Sequence, residues 1–380
     1  MTLLRLPSTW LALPLLFACA VTLLTYDLPE GYGEGITLLA GCAGAVLLFD
    51  LVAGNRLPPL DRFRLRCYAG TREAFVALAF ALAVLAFCLI DLALFPVALV
   101  DDPHAYATMD GGREHIRHIS DMCWVLPPIG LLCARRPWLR WSLVAAGLLF
   151  PVLVIDRNRL LNGLFALALV IVLRRNDLAP LPWKRIALMV LAGASVFSLL
   201  GILRSGPLAG LTLPFTGIYK AAPQGIKWLL LYVSAGPYNF AAIEAKHYVD
   251  ASFLIHQIVP LSGSVATAGT GIPLDSPTVN VGTEFFPFLM AWGPVGAAAS
   301  VVALYLWLHW SVRRLWPGVP LFGLLIFLRL AYVCLMAPFA PQAFIWTNVD
   351  FVALCLLMQL LAAWLPARAR VPDALSTTPT

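Results

Sequence analysis

The chain has 380 residues, 61% hydrophobic and only 12% charged, with a formal net charge of +6. A soluble domain carries about a quarter charged residues, so this share excludes an ordinary soluble fold and, with repeated long apolar runs, points to membrane spans. The basic residues gather in short links between those runs, where they set topology, which argues against a nucleic-acid partner.

In chain order, the pattern predicts spans near 9–26, 36–53, 73–100, 120–134, 138–155, 160–173, 186–203, 284–311, 319–337 and 343–365. Arg5 ahead of an apolar run and Ala18-Cys19-Ala20 outline a secretory leader, but a second span follows at once, which favours an uncleaved first span. Pro127-Pro128 should kink the fourth span. No polar stretch is long enough to build its own core. The expected fold is an all-α polytopic membrane protein with about ten transmembrane helices and one large outer loop. Residues 1–370 form a single membrane domain, the loop covers about 204–283, and 371–380 form a short disordered tail. The eight cysteines contain no CxxC and no paired framework, so neither structural disulfides nor a zinc site is expected.

Orientation follows from arginine and lysine. The link 54–72 holds Arg56, Arg62, Arg64, Arg66 and Arg72, while 27–35 holds only acids. Positive-inside logic puts 54–72 and both termini in the cytoplasm. Three outer segments stand out: 101–119, the tight turn Asp156-Arg157-Asn158-Arg159, and the long stretch 204–283. Within the last, the apolar piece Ile226 to Ile243 is interrupted by Gly236-Pro237. It is expected to be a re-entrant or interfacial helix pair, because a full span there would put Arg313-Arg314 outside.

The sharpest signal breaks the charge rule. Arg157 and Arg159 sit in an outer turn, and Arg204 closes the next outer helix end; Arg113, Arg117, Lys220, Lys227 and Lys246 are also external. Guanidinium forks bind phosphate bidentately, so Arg157, Arg159 and Arg204 are candidate ligands of a lipid diphosphate. The bland alternative is pairing with phospholipid headgroups or with Asp156, Asp250 and Asp275. A second signal is intramembrane charge. Arg329 and Asp350 lie on adjacent antiparallel spans and are expected to form a buried ion pair, the alternative being that they line a substrate path; Asp91 has no obvious partner. Glu284, at the mouth of the span after the long loop, is either a general base or a helix-end charge capped by Thr283. His104, His115 and His118 share one outer loop with carboxylates, a pattern that binds zinc or arises by chance. His247 and His256 are better placed for proton transfer. No P-loop, dinucleotide fingerprint, HExxH or GxSxG is present, so nucleotide-driven and zinc-peptidase chemistry have no support.

Three stretches carry a resemblance. Ile155-Asp156-Arg157-Asn158-Arg159 followed by Leu160-Leu161-Asn162-Gly163, then Leu231 to Phe240, then Thr278-Val279-Asn280-Val281-Gly282-Thr283 leading into Phe285 to Gly293 and Gly296, resemble in order and spacing the O-antigen polymerases and related oligosaccharide repeat-unit polymerases. Asp156, Asn158 and Glu284 depart from the residues usual there. The resemblance covers residues 130–310 in pattern and implies a membrane glycosyltransferase in the bacterial inner membrane. Its donor is a polyprenyl-diphosphate-linked glycan and its acceptor a second lipid-linked repeat unit. Membrane lipid, a chain-length regulator and a flippase are further partners, and there is no cofactor. Under it, Arg157, Arg159 and Arg204 bind the diphosphate, and Glu284 and His247 handle the acceptor proton. An O-antigen ligase-like transferase and a lipid-linked oligosaccharide flippase are the alternatives. The reading predicts that a reporter fused after Asp250 is periplasmic and one after Arg175 cytoplasmic; a cytoplasmic signal at Asp250 would overturn orientation and site together.

Overall fold

The computed structural model describes residues 6–53, 65, 68–101, 112–174, 211–260, 271–315 and 318–366, with isolated positions between 184 and 202. The predicted span 186–203 is therefore described only in separate pieces, and Arg204, His104 and the tail lie outside the described residues. What is described is helical, and its only β pairing is an isolated bridge between Tyr26 and Phe215. The helices are α1 (Thr9–Thr25), α2 (Tyr32–Ala53), α3 (Arg72–Leu94), α4 (Arg113–Ser120), α5 (Leu126–Cys133), α6 (Pro137–Leu153), α7 (Arg157–Leu173), α8 (Gly217–Ala221), α9 (Gln224–Ala245), α10 (Ser252–Ile258), α11 (Phe286–Arg313), α12 (Leu321–Met336) and α13 (Trp346–Trp364). Four of them, α2, α3, α11 and α13, are long and apolar enough to cross a membrane, and α1, α6 and α12 are shorter apolar helices. A 17-residue helix such as α1 spans about 26 Å, slightly under a hydrocarbon core of about 30 Å.

Large apolar side chains face outward on these helices, among them Phe17, Leu24, Phe49, Val52, Leu89 and Trp364. α12 is the reverse. Nearly all its residues are buried, so it is the central helix, with α1, α7, α11 and α13 around it. A helix apolar all round belongs either in a core or in lipid, and α12 takes the first option.

The links segregate to two ends. At one end Tyr68 donates to the carbonyl of Val319 (2.6 Å), Arg72 to that of Ala363 (3.3 Å), Arg135 to that of Ala69 (3.3 Å) and Arg174 to that of Leu131 (3.2 Å). These are the links that charge counting places inside. At the other end Asp27 N–H meets Pro214 (2.8 Å), Thr216 meets Leu24 (2.7 Å) and Tyr32 meets Asp275 (2.8 Å). The grouping of links is thus that of an alternating bundle.

Three expectations about individual helices change. Pro127-Pro128 do not kink a continuous span. They lie in the first turn of α5, where a missing N–H costs nothing, and the break falls just before them, in a 3₁₀ turn over Asp121–Val125. Residues 224–245 form one continuous helix with Pro237 inside it, not a pair broken at Gly236-Pro237. Its approach and exit are nonetheless at the same end: Phe215 and Thr216 lie beside Tyr26 and Thr25, and Lys246 beside Asp275 and Tyr32. The helix therefore does not reverse the later links, as the re-entrant reading requires. The real break is in α11. Trp292 (φ −138°) and Gly293 (φ +65°, ψ −161°) leave helical geometry just before Pro294; the positive φ requires glycine and the proline forbids helix behind it.

Gly236 marks the tightest crossing. A Cβ there would overlap the carbonyl oxygen of Pro338, and a backbone atom cannot swing aside. Gly236→Ala is expected to destabilise the fold by about 1–3 kcal/mol, the usual cost of overpacking, and a melting curve in detergent checks it. An unchanged midpoint would mean that α9 and the α12–α13 link do not touch.

Candidate functional site

The polar residues at the end of the bundle that holds Tyr32 and Asp275 form a connected cluster around the start of α7. The sequence Asp156-Arg157-Asn158-Arg159 begins a helix because Asp156 caps it, its carboxylate accepting the N–H of Arg159 (3.1 Å). That cap directs the next three side chains to three different neighbours. The Arg157 guanidinium lies over the ring of Tyr232 on α9, 6.0 Å from its centroid. The Asn158 side-chain oxygen accepts from Tyr332 on α12 (2.7 Å) and from Gln342 in the α12–α13 link (3.0 Å). Arg159 forms ion pairs with Asp156 and Asp121.

Asp121 continues the chain of charge. It stands 3.9 Å from Arg117, which stands 3.6 Å from Asp91, and Arg113 donates twice to Asp91, at 2.9 and 3.2 Å. Asp91 is fully buried, and Arg113 and Arg117 nearly so. The expectation that Asp91 lacks a partner is therefore wrong. Arg113 and Arg117, counted as external loop cations, belong to α4 and fold in to meet it, because an unpaired carboxylate is untenable in an apolar surround.

The Arg329–Asp350 pair does not form. Arg329 donates to Asn348 (2.9 Å) and lies 6.0 Å over Trp124, whereas Asp350 is exposed. One helical turn separates 348 from 352, and 350 falls on the opposite side of α13 from Asn348; a residue two positions away is not on the same face.

Glu284 is buried. Its carboxylate accepts the backbone N–H groups of Gln342, Ala343 (2.8 Å) and Phe344 (3.2 Å), and its own N–H donates to Ala337 (2.7 Å). It thus pins both ends of the α12–α13 link. Thr283 does not cap α11, whose cap position is Phe285 with no side-chain bond. His247 is exposed, at φ +47°, just past the end of α9. Glu284 and His247 therefore do not share an environment.

A second polar cluster holds the long loop. Asp275 accepts from Tyr32 (2.8 Å), Tyr238 (2.7 Å) and Lys246 (2.6 Å). Burial pushes its carboxyl up, but Lys246 and the two tyrosines outweigh it and hold it below the ordinary aspartate value. Lys246 is thus paired with Asp275, the bland reading of that lysine. Among the described residues no three His, Cys, Asp or Glu side chains gather to hold a metal ion; the rings of His115 and His118 are 6.4 Å apart, and His118 packs on Trp346.

Tyr332, Gln342, Asn348 and Asp121 were not singled out from sequence. The signal available for three of them was position, since Tyr332 and Asn348 flank, and Gln342 lies in, a short Pro-rich link between two apolar runs. The side-chain oxygens of Asn162, Thr283 and Gln342 are buried beside the cluster without a hydrogen bond. The three resemblance stretches meet here: Asn239 donates to the carbonyls of Val279 (2.6 Å) and Val281 (2.7 Å), and Tyr232 carries Arg157.

Comparison with family models, with curated proteins and with solved structures found no match.

The charge network gives a direct test. Asp91→Ala leaves Arg113 and Arg117 buried without their carboxylate, and breaking a buried pair on one side costs about 3–5 kcal/mol. A lower melting midpoint is expected, with a smaller loss for Asp91→Asn, which keeps two hydrogen-bonding atoms. Equal stability of Asp91→Ala and the parent chain would show that the arginines find other partners.

Proposed function

We propose that the chain is a membrane glycosyltransferase of the bacterial inner membrane. In this reading it has about ten spans and cytoplasmic termini, and polymerises polyprenyl-diphosphate-linked repeat units at the periplasmic face. The observation that carries this reading is the convergence, at one end of the bundle, of three stretches far apart in sequence that each resemble the repeat-unit polymerases. They bring Arg157, Asn158 and Tyr232 beside Tyr332 and Gln342, with Glu284 against the same α12–α13 link. Cations, amide groups and hydroxyls at a membrane surface suit an anionic lipid diphosphate bearing sugars.

In the reaction, the terminal hydroxyl of one glycan forms a bond to the anomeric carbon of another. The bond from that carbon to the phosphate oxygen breaks, and the lipid diphosphate leaves with the electron pair. The proton of the attacking hydroxyl passes to a base. Energy resides in the donor, so no nucleotide is consumed. Arg157 is the residue to which we assign the leaving diphosphate. Its guanidinium lies over the Tyr232 ring, while Arg159 is bound by two aspartates, which makes Arg159 the positioning residue of the turn. Arg204 stays a proposed diphosphate ligand on sequence grounds. Of the two proposed proton acceptors, Glu284 already accepts three N–H groups, and that geometry favours a strut for the link over a base; His247, exposed, is the better placed to exchange protons. Chain-length regulator and flippase partners, and the ligase and flippase alternatives, follow from the resemblance alone.

A glycan ladder on a gel tests this. Removing a preorganised donor to a leaving oxyanion slows catalysis about 10²–10³-fold. Arg157→Ala is therefore expected to collapse the ladder to single repeats while the protein inserts and melts normally, with Arg157→Lys restoring it in part, since lysine keeps the charge but not the fork. Arg159→Ala is expected to lower stability as well as chain growth. A normal ladder from well-expressed Arg157→Ala would place the diphosphate elsewhere, and a full ladder left on the lipid carrier in cells without the protein would mean a ligase.

A further inference from the structure

The end of the bundle opposite this cluster holds a cavity of about 1120 Å³ between the start of α3, the α5–α6 link and the end of α13. Its mouth and wall differ in chemistry. The mouth carries Arg72, Arg135 and Arg136, and the wall runs down α3 through Phe75, Leu78 and Leu82. That spacing keeps one helical face for about 10 Å toward the middle of the bundle. Phe75 is 57% exposed and Leu82 49%, so the wall is open sideways. Trp138, at the rim, is exposed too, in the interfacial position that tryptophan favours.

Two of the mouth arginines are held in place by uncharged partners. Arg72 donates to the carbonyl of Ala363 and Arg135 to that of Ala69, both at 3.3 Å. The Arg135 guanidinium occupies the space over Gly70, where any Cβ would overlap it, and Gly70 is at φ +89°. Backbone carbonyls orient these cations but carry no charge. Among the described residues none of the three arginines forms an ion pair with a carboxylate. The one carboxylate in the described lining, Glu73, accepts the N–H of Leu321 (3.3 Å).

We propose that this cavity binds an anionic glycerophospholipid of the cytoplasmic leaflet. The headgroup phosphate sits among Arg72, Arg135 and Arg136, and an acyl chain lies along Phe75, Leu78 and Leu82. Three cations, two of them oriented by backbone carbonyls and none ion-paired among the described residues, select a net negative headgroup over a zwitterionic one. An open apolar wall at membrane depth selects a lipid over a soluble phosphate, which would use only the mouth. The site rests on membrane embedding and on the orientation given by positive-inside logic, not on the polymerase reading.

The test uses the full-length protein, purified in detergent and delipidated, with native mass spectrometry counting retained lipid and a melting curve reading stabilisation. Phosphatidylglycerol is expected to be retained and to raise the midpoint, phosphatidylcholine to do neither, and inorganic phosphate at the same concentration to leave the midpoint unmoved. Each arginine removed should weaken retention about five-fold, so Arg72→Gln/Arg135→Gln/Arg136→Gln should lose it. Arg72 and Arg135 also hold backbone. The single charge reversal Arg136→Glu is therefore the cleaner variant, expected to cut phosphatidylglycerol retention while the lipid-free midpoint stays put. Lys220→Gln, on the opposite end, should retain lipid as the parent does. Equal retention of the two lipids by the parent chain, unchanged retention by Arg136→Glu, equal loss by Lys220→Gln, or stabilisation by inorganic phosphate alone would each overturn the site.

Discussion

A buried carboxylate in the last turn of an apolar helix cannot be left to itself, and Asp91 makes one end of this molecule follow from that. Its only polar surroundings are the ones the chain brings to it. α4 folds in so that Arg113 and Arg117 reach its two oxygens, with Ser120 adding a hydroxyl at 3.3 Å. Two arginines over-compensate one aspartate, and the next acid in line is Asp121, at the start of the 3₁₀ turn. Asp121 then takes Arg159, and Arg159 takes Asp156. The run ends with three aspartates and three arginines in balance and with the first turn of α7 fixed in place. Arg157, the residue to which the reaction is assigned, is positioned by neighbours in sequence whose own positions are set 66 residues upstream of it, at Asp91.

The same economy governs the α12–α13 link. Nine residues at the surface of a bundle need partners for their backbone groups, and one buried side chain, Glu284, supplies three of them. Asn348 secures a fourth group, the carbonyl of Ala343, while its oxygen receives Arg329. Gln342 is thereby presented to Asn158, and Pro338 is pressed against Gly236. A mobile link would leave Asn158 and Tyr332 facing only each other. The rigid one closes a cluster in which α7, α9, α12 and the link all contribute a polar group.

Hydropathy and arginine spacing made most of the helices legible, because period and length alone separate a span from a link. The all-helical character and the pairing of α1 with α2 or α5 with α6 followed from short connections. What stayed hidden depended on tertiary partners. Pro237 reads as a break because proline removes one hydrogen bond, yet α9 stays helical because it is packed between α1, α2 and α11. Pro294 reads the same way and does break α11, since Gly293 before it is free to adopt φ +65°. The difference lies in the preceding residue's surroundings: Gly236 is locked under Pro338, and Gly293 has nothing within 4 Å of where a Cβ would be. Arg329 was legible as a buried cation needing a partner, but the choice of Asn348 over Asp350 turned on helical phase, which a hydropathy profile does not carry.

The apparent breach of the positive-inside pattern resolves on the same terms. That pattern concerns cations in short links exposed to water at the membrane face. Arg113 and Arg117 are 7% and 2% exposed, so they are core residues that happen to lie outside the apolar runs, and Arg159 is bound between two acids. At the opposite end Arg72, Arg135 and Arg174 are anchored instead by uncharged backbone carbonyls and keep their full charge. The two ends therefore differ less in how many arginines they hold than in what holds them. Where the anchor is a carboxylate, the arginine builds the fold; where it is a backbone carbonyl, no opposing charge comes with it. Arg157, over Tyr232, and the Arg72–Arg135 pair at the cavity mouth are where the two proposed ligands would meet the chain, at opposite ends of the bundle.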